Sequence, residues 1–217
     1  MRKLILLAIL NLFFFAIKAQ KAPLNVSLSY DVVMFSESNP KLNEKTQLNI
    51  FLTATQSRSE LVSKLGTEVS LFDNSSGKGA VIKEYSTQKL LIMLSRQNWM
   101  SKNKRFQNLK YVDEDGVKTI GTYSCKKSVA NFTDGNRLTV YFTKDIILPN
   151  NQYLYSLPEI NGLPIQYELS SKDGTISYQL KNISFDVISN QLFHIPQSGK
   201  YRVMSYEEAH TSREGEK

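Results

Sequence analysis

Cysteine and histidine are nearly missing from this chain: its 217 residues hold one Cys and two His. A lone Cys125 cannot close an intramolecular disulfide, and His194 and His210 lie far from it in sequence. Within Tyr123-Ser124-Cys125 it reads as a small buried hydrophobe of a strand and not as a nucleophile. So few soft ligands leave little material for zinc. There is no Gly-rich phosphate loop, no Gly-x-Ser-x-Gly elbow and no His-Glu-x-x-His pair. Asp113, Asp115 and Gly116 echo the start of a calcium loop, but its remaining ligands and closing Glu are absent, so a hairpin turn is expected there. No catalytic, metal or cofactor residue is therefore predicted. A hydrolase built on paired carboxylates stays open as a lesser alternative, because that pairing is a matter of geometry.

Long apolar runs are missing as well, with one exception. Arg2 and Lys3 precede an apolar stretch from Leu4 to Phe15, broken only by Asn11, and Ala16-Ile17-Lys18-Ala19 follows it before Gln20. A basic start, an apolar core of about 12 residues and a small residue at the end predict a cleaved export signal over residues 1–19. The stretch is too short to span a ~30 Å hydrocarbon core, so no transmembrane anchor is expected after cleavage. Loss of Arg2, Lys3 and Lys18 lowers the net charge from +7 to +4, with 24 basic residues left against 20 acidic. Those residues are dispersed, and the densest group, Lys102-Asn103-Lys104-Arg105, reads as a solvated loop. No arginine-rich arm of the kind that grips nucleic acid is present.

No Pro-rich or Ser/Gly-rich linker divides the remainder, which predicts one domain over residues 20–206 and a polar tail over 207–217. The hydrophobic period is two. Val26, Leu28, Tyr30 and Val32 alternate with Asn25, Ser27, Ser29 and Asp31, and Leu48, Ile50 and Leu52 repeat the pattern. Val69 to Phe72 runs into a loop at Asp73 to Gly79, and Val81 starts another extended segment. Leu90 to Leu94 is unbroken and fits either a strand buried on both faces or a short helix from Leu90 through Trp99. Leu109 to Val112, Val117 to Val129 and Leu138 to Phe142 form successive hairpins about Asp113-Gly116 and Phe132-Asn136. Ile165 to Leu169 turns at Ser171-Gly174 into Ile176 to Leu180, with Ile183, Phe185 and Val187 beyond. The last ordered stretch runs through Phe193, Pro196 and Tyr201 to Val203, and a short helix or disordered tail follows Glu207.

Three ordered segments carry a resemblance. Ile120-Gly121-Thr122-Tyr123-Ser124-Cys125-Lys126-Lys127, then Thr139 to Ile146, then Gly162-Leu163-Pro164-Ile165 resemble the GLPGLI family of exported proteins of Gram-negative bacteria. Phe193-His194-Ile195-Pro196 with Tyr201 is similar to the end of that pattern. Here the motif reads Gly-Leu-Pro-Ile-Gln-Tyr, so its second Gly is missing. The chain is thus similar to a divergent member, or to a related family of exported β proteins. The resemblance implies a mainly β fold, a curved antiparallel sheet or half-barrel similar to periplasmic lipoprotein carriers, with one or two short helices. It also implies a place in the periplasm or at the periplasmic face of the outer membrane, and it implies no reaction. On physical grounds Gly162 and Pro164 predict a kink that closes the sheet, or else a lip over a groove.

A strongly bent sheet has a concave face, and apolar residues there could hold a lipid, an acyl chain or an apolar peptide. Leu90, Ile92, Tyr141, Ile176, Tyr178 and Leu180 are the candidates for such a groove. The alternative is a protein-interaction or envelope-assembly role without a small ligand, which predicts a bare sheet edge or an exposed apolar patch.

Overall fold

The computed structural model describes residues 23–36, 46–150, 157 and 159–214. The proposed signal segment and the last three residues of the tail lie outside them. Twelve strands form one sheet: β1 (Asn25–Phe35), β2 (Thr46–Thr53), β3 (Gln56–Ser63), β4 (Gly66–Asp73), β5 (Lys78–Tyr85), β6 (Gln88–Ser95), β7 (Tyr111–Ile120), β8 (Tyr123–Asn131), β9 (Arg137–Thr143), β10 (Leu163–Ser171), β11 (Gly174–Ser184) and β12 (Arg202–Met204). Among the described residues two short helices accompany it, α1 (Arg96–Lys102) and α2 (Tyr206–Glu214). The spatial order is β12-β6-β5-β4-β3-β2-β1-β11-β10-β9-β8-β7. The pairings are antiparallel except for β12, which lies parallel to β6. The fold is thus mainly β, as the alternation of period two predicts, and it is an open curved sheet, as the resemblance implies.

Chain connectivity requires the curvature. Ten ladder spacings separate β6 from β7, about 48 Å in a flat sheet. The connection over residues 96–110 contains α1 and a 3-10 turn at Lys104–Phe106. Helical rise and extended residues together allow it only about 33 Å. The two ends of the sheet are therefore drawn toward each other, and one face becomes the inside of a half-barrel.

Apolar residues fill that inner face unevenly. Val26, Leu28 and Tyr30 of β1, Ile50 and Leu52 of β2, and Leu138, Val140 and Phe142 of β9 share one core with Ile165 and Tyr167 of β10. Leu148, Leu157 and Ile160 from the β9–β10 connection add to it, and the Asn150 side chain anchors that connection by donating to the Thr53 carbonyl at 2.9 Å. A second core lies on the same face of the other arm, where Phe72, Val81, Ile92 and Leu94 meet Trp99 of α1 and Tyr206 and Ala209 of α2. On the outer face of β4–β6, Val69, Leu71, Ala80, Ile82 and Leu91 are covered by Ile195 and Tyr201 of the segment leading to β12. Arg58 fixes that segment by donating to the Leu192 carbonyl at 3.0 Å.

Two expectations need correction and one ambiguity is resolved. Asp113-Gly116 is not a hairpin turn. It lies inside β7, where Glu114 faces Lys127 and Val117 faces Lys126, leaving Asp115 and Gly116 as a bulge. Lys127 and Arg137 bind the Glu114 carboxylate at 2.6 and 3.3 Å and hold the ladder together across it. The chain reverses instead at Gly121-Thr122. The alternation also passed over β3, because Ser57, Ser59, Arg58 and Glu60 leave it little apolar period. The Leu90–Trp99 stretch is both strand and helix, divided at Ser95. The Ser95 side chain accepts from the Asn98 backbone N–H, and the Asn98 side chain accepts from the Ser95 N–H, closing a capping box.

Candidate ligand cleft

The six groove candidates divide into three places. Ile176, Tyr178 and Leu180 project from the inner face of β11, each half-buried. Tyr178 stacks on Tyr167 with centroids 4.2 Å apart, and Tyr167 meets Tyr30 edge-on at 5.7 Å. Burial raises the pKa of both Tyr167 and Tyr178, so these phenols stay neutral. Leu90 and Ile92 sit on the inner face of β6, with five strands between them and β11. Tyr141 is on the other side of the sheet. Its partners in register are Lys127 and Gln166, while Val140 beside it pairs with Ser128 and Tyr167. Strand alternation thus assigns the inward positions to Val140 and Phe142. The Tyr141 ring packs against the larger core from that side, with the Lys118 Nζ 4.7 Å from its centre.

The larger cavity belongs to Leu90 and Ile92. A cleft of about 850 Å³ opens at the β5–β6 hairpin, between β12 and α2. Its apolar lining is Leu90, Ile92, Met204 and Ala209; Lys89, Lys200 and Arg202 line it with Ser86, Thr87 and Gln88 of the hairpin, and Lys83 lies where it meets its inner extension. Strand pairing aligns these groups: Arg202 faces Leu90 and Met204 faces Ile92. A smaller hollow of about 290 Å³ under α2 continues from it, sharing Lys83, Ile92 and Ala209 and adding Val81, Leu94 and Tyr206. A separate hollow of about 480 Å³ lies under residues 193–197, where Leu71 and Phe72 meet more polar neighbours such as Gln56 and Asp73.

Glu68 and Lys83 stand at the junction of the cleft and its inner extension, 2.8 Å apart. Burial works against ionisation of Glu68. Hydrogen bonds from Lys83 and Tyr85, with the charges of Lys83 and Lys102, outweigh it and hold the pKa below the ordinary carboxylate value. Lys89 is 3.8 Å from Glu84, whose carboxylate also accepts from the Tyr201 hydroxyl at 2.5 Å. Among the described residues, neither Lys200 nor Arg202 has a carboxylate within ion-pair distance. Sequence reasoning missed Lys200, Arg202, Met204 and Ala209. The three-residue β12 is too short to show a period, and only its pairing with β6 brings these residues to Leu90 and Ile92.

The motif residues serve the frame of the sheet. Gly162 has φ +151°, and a Cβ there would stand 2.2 Å from the Thr143 carbonyl oxygen. Leu163 and Pro164 are buried at the start of β10, and a bulge follows Pro164. Cys125 is fully buried in the larger core, where burial pushes its thiol pKa up. Gly121 forms the β7–β8 turn, half-buried Tyr123 packs on the core, and Pro196 and Tyr201 belong to the outer covering segment. No group of three His, Cys, Asp or Glu is placed to hold a metal among the described residues. No helix among them is long and apolar enough to cross a membrane.

No family model matches the chain, and no curated protein does. Solved structures do match. An uncharacterized conserved protein from Thermus thermophilus is similar with a TM-score of 0.53 and 10% identity, over 83% of this chain and 90% of that one. PNGF-II is similar with a TM-score of 0.50 and 11% identity, over 85% of this chain. The present chain spans about a third of PNGF-II, 32% of its length. The Mycobacterium tuberculosis lipoprotein LppX aligns over 75% of this chain and 88% of its own, with 8% identity and a TM-score of 0.37. The first two share the fold with this chain, and at such identities the likeness extends to the fold alone.

Proposed function

We propose that this chain is an exported envelope protein, a divergent member of the GLPGLI family or of a related one, whose curled sheet is a non-enzymatic binding or carrier module for a hydrophobic ligand. The observation that carries this reading is the uneven filling of the half-barrel. One arm is filled largely by its own buried side chains and by Leu148, Leu157 and Ile160 of the β9–β10 connection, whereas the arm at β5–β6 keeps an open cleft with Leu90, Ile92, Met204 and Ala209 in its lining, continued by the hollow beneath α2. Its size falls in the ~300–1,000 Å³ range of sites for single small ligands. The N-terminal signal pattern supports export, with the periplasm or the periplasmic face of the outer membrane as its place.

Glu68, Asp73, Glu114 and Glu207 have lowered pKa values, set by neighbouring donors and cations, so these four are unsuited to serve as the protonated acid of a carboxylate-based hydrolase. One observation favours the alternative role in protein interaction. The outer edge strand β7 is exposed along most of its length, with Val112 and Val117 67% and 64% accessible, and among the described residues it pairs with a strand, β8, on one side only.

Native mass spectrometry of the mature protein purified from its own envelope, with organic extraction of what co-purifies, tests the choice. A stoichiometric lipid or acyl compound is expected. An empty protein repeatedly recovered with one envelope protein would replace the carrier reading with the interaction role.

A further inference from the structure

We propose that the cleft between the β5–β6 hairpin, β12 and α2 binds a single-chain anionic amphiphile, an aliphatic tail ending in a carboxylate or phosphate. This rests on the carrier reading and narrows its ligand class and location.

Charge and apolar surface are segregated along the cleft. Lys89, Lys200 and Arg202 stand at the hairpin mouth, and Leu90, Ile92 and Met204 follow inward. The hollow under α2 continues the path inward past Val81 and Leu94 toward the core that holds Trp99, with the paired Glu68 and Lys83 and, farther along, Lys102 and His210 also on its wall. A free inorganic anion would leave that path unused, and a neutral lipid would leave the cations at its mouth unused. Lys83 is committed to Glu68 and Lys89 leans on Glu84, so Lys200 and Arg202 supply the positive charge for a head group. A guanidinium meets a carboxylate or phosphate through two parallel hydrogen bonds, which suits Arg202 at the mouth. The volume of about 850 Å³ suits one chain.

The test uses the mature full-length protein with dodecanoate and dodecyl phosphate below their micelle concentrations and dodecanol below its solubility limit, followed by titration calorimetry at low salt. Both anions are expected to bind one to one, with dodecanol weaker by about tenfold or more, as the loss of a charge-assisted contact implies. The double reversal Lys200→Glu with Arg202→Glu alters exposed side chains, so folding is retained. It should weaken both anions by about tenfold or more and leave dodecanol within about twofold. Trp99 is the sole tryptophan, so dodecanoate brominated at the tail end should quench its fluorescence, and dodecanoate brominated beside the carboxylate should not.

Equal affinity for the three probes, or anion binding indifferent to the double reversal, overturns the inference and leaves the carrier reading standing. Failure of all three probes to bind also overturns it. Whether lipid co-purifies then decides the carrier reading separately.

Discussion

The Tyr30 hydroxyl donates to the Pro164 carbonyl at 2.8 Å, joining residues 134 positions apart in sequence. β11 lies between their strands, so a flat sheet would hold the two backbones about 9.5 Å apart. The bond forms because the sheet bends toward the face that carries Tyr30, and because the bulge after Pro164 frees its carbonyl from the ladder. Tyr30→Phe removes the donor and leaves a buried carbonyl unpaired. It should cost about 1–2 kcal/mol in urea unfolding with an unchanged m value. A variant as stable as the parent would mean that curvature does not depend on this link.

Gly162 precedes that contact. Gly162→Ala sets a Cβ against the Thr143 carbonyl in a backbone region closed to alanine, so a loss of about 2 kcal/mol or more is expected in thermal or urea unfolding. Gly199→Ala, where an added Cβ meets nothing within 4 Å, is the control and should stay within about 0.5 kcal/mol of the parent.

The Glu68–Lys83 pair predicts a pH dependence. A carboxylate whose folded pKa lies below its unfolded value binds fewer protons in the folded state between the two, so stability rises with pH across that interval. The Glu68 contribution is complete above its ordinary value of 4.5 and is lost as pH falls through the lower folded value. Glu68→Gln should therefore be less stable than the parent at neutral pH, with the gap closing in unfolding curves taken below pH 4.5. A gap that is constant with pH would mean that the ion pair contributes nothing to folding.

Cys125 is completely buried, and its raised pKa suppresses the thiolate. A thiol reagent such as dithionitrobenzoate should label it only as fast as the protein unfolds, and at once in denaturant. Rapid labelling of the folded protein would place the thiol at the surface.

Several features are legible from local chemistry alone. The alternation in Val26 to Val32, the Ser171–Gly174 turn and the hairpin at Phe132–Asn136 depend on neighbours within a few residues, and each is present. Cys125 as a buried strand residue followed from composition alone. Asp113–Gly116 misled, since Asp-Gly in sequence suits a bulge as well as a turn, and the difference lies in Lys127 and Arg137 on other strands.

By itself the sequence determined the strand-rich character, the half-buried faces and the signal pattern at the N-terminus, all of which follow from period two and local composition. Only the tertiary structure decided which apolar residues share a site. It put Tyr141 on the outer face, joined Tyr178 to a packed core, and brought Arg202 and Met204 beside Leu90 and Ile92. That choice depends on the register of pairings between distant strands and on how far the sheet curls to bring its ends together. Both are set by the sum of long-range contacts, which no short stretch of residues contains.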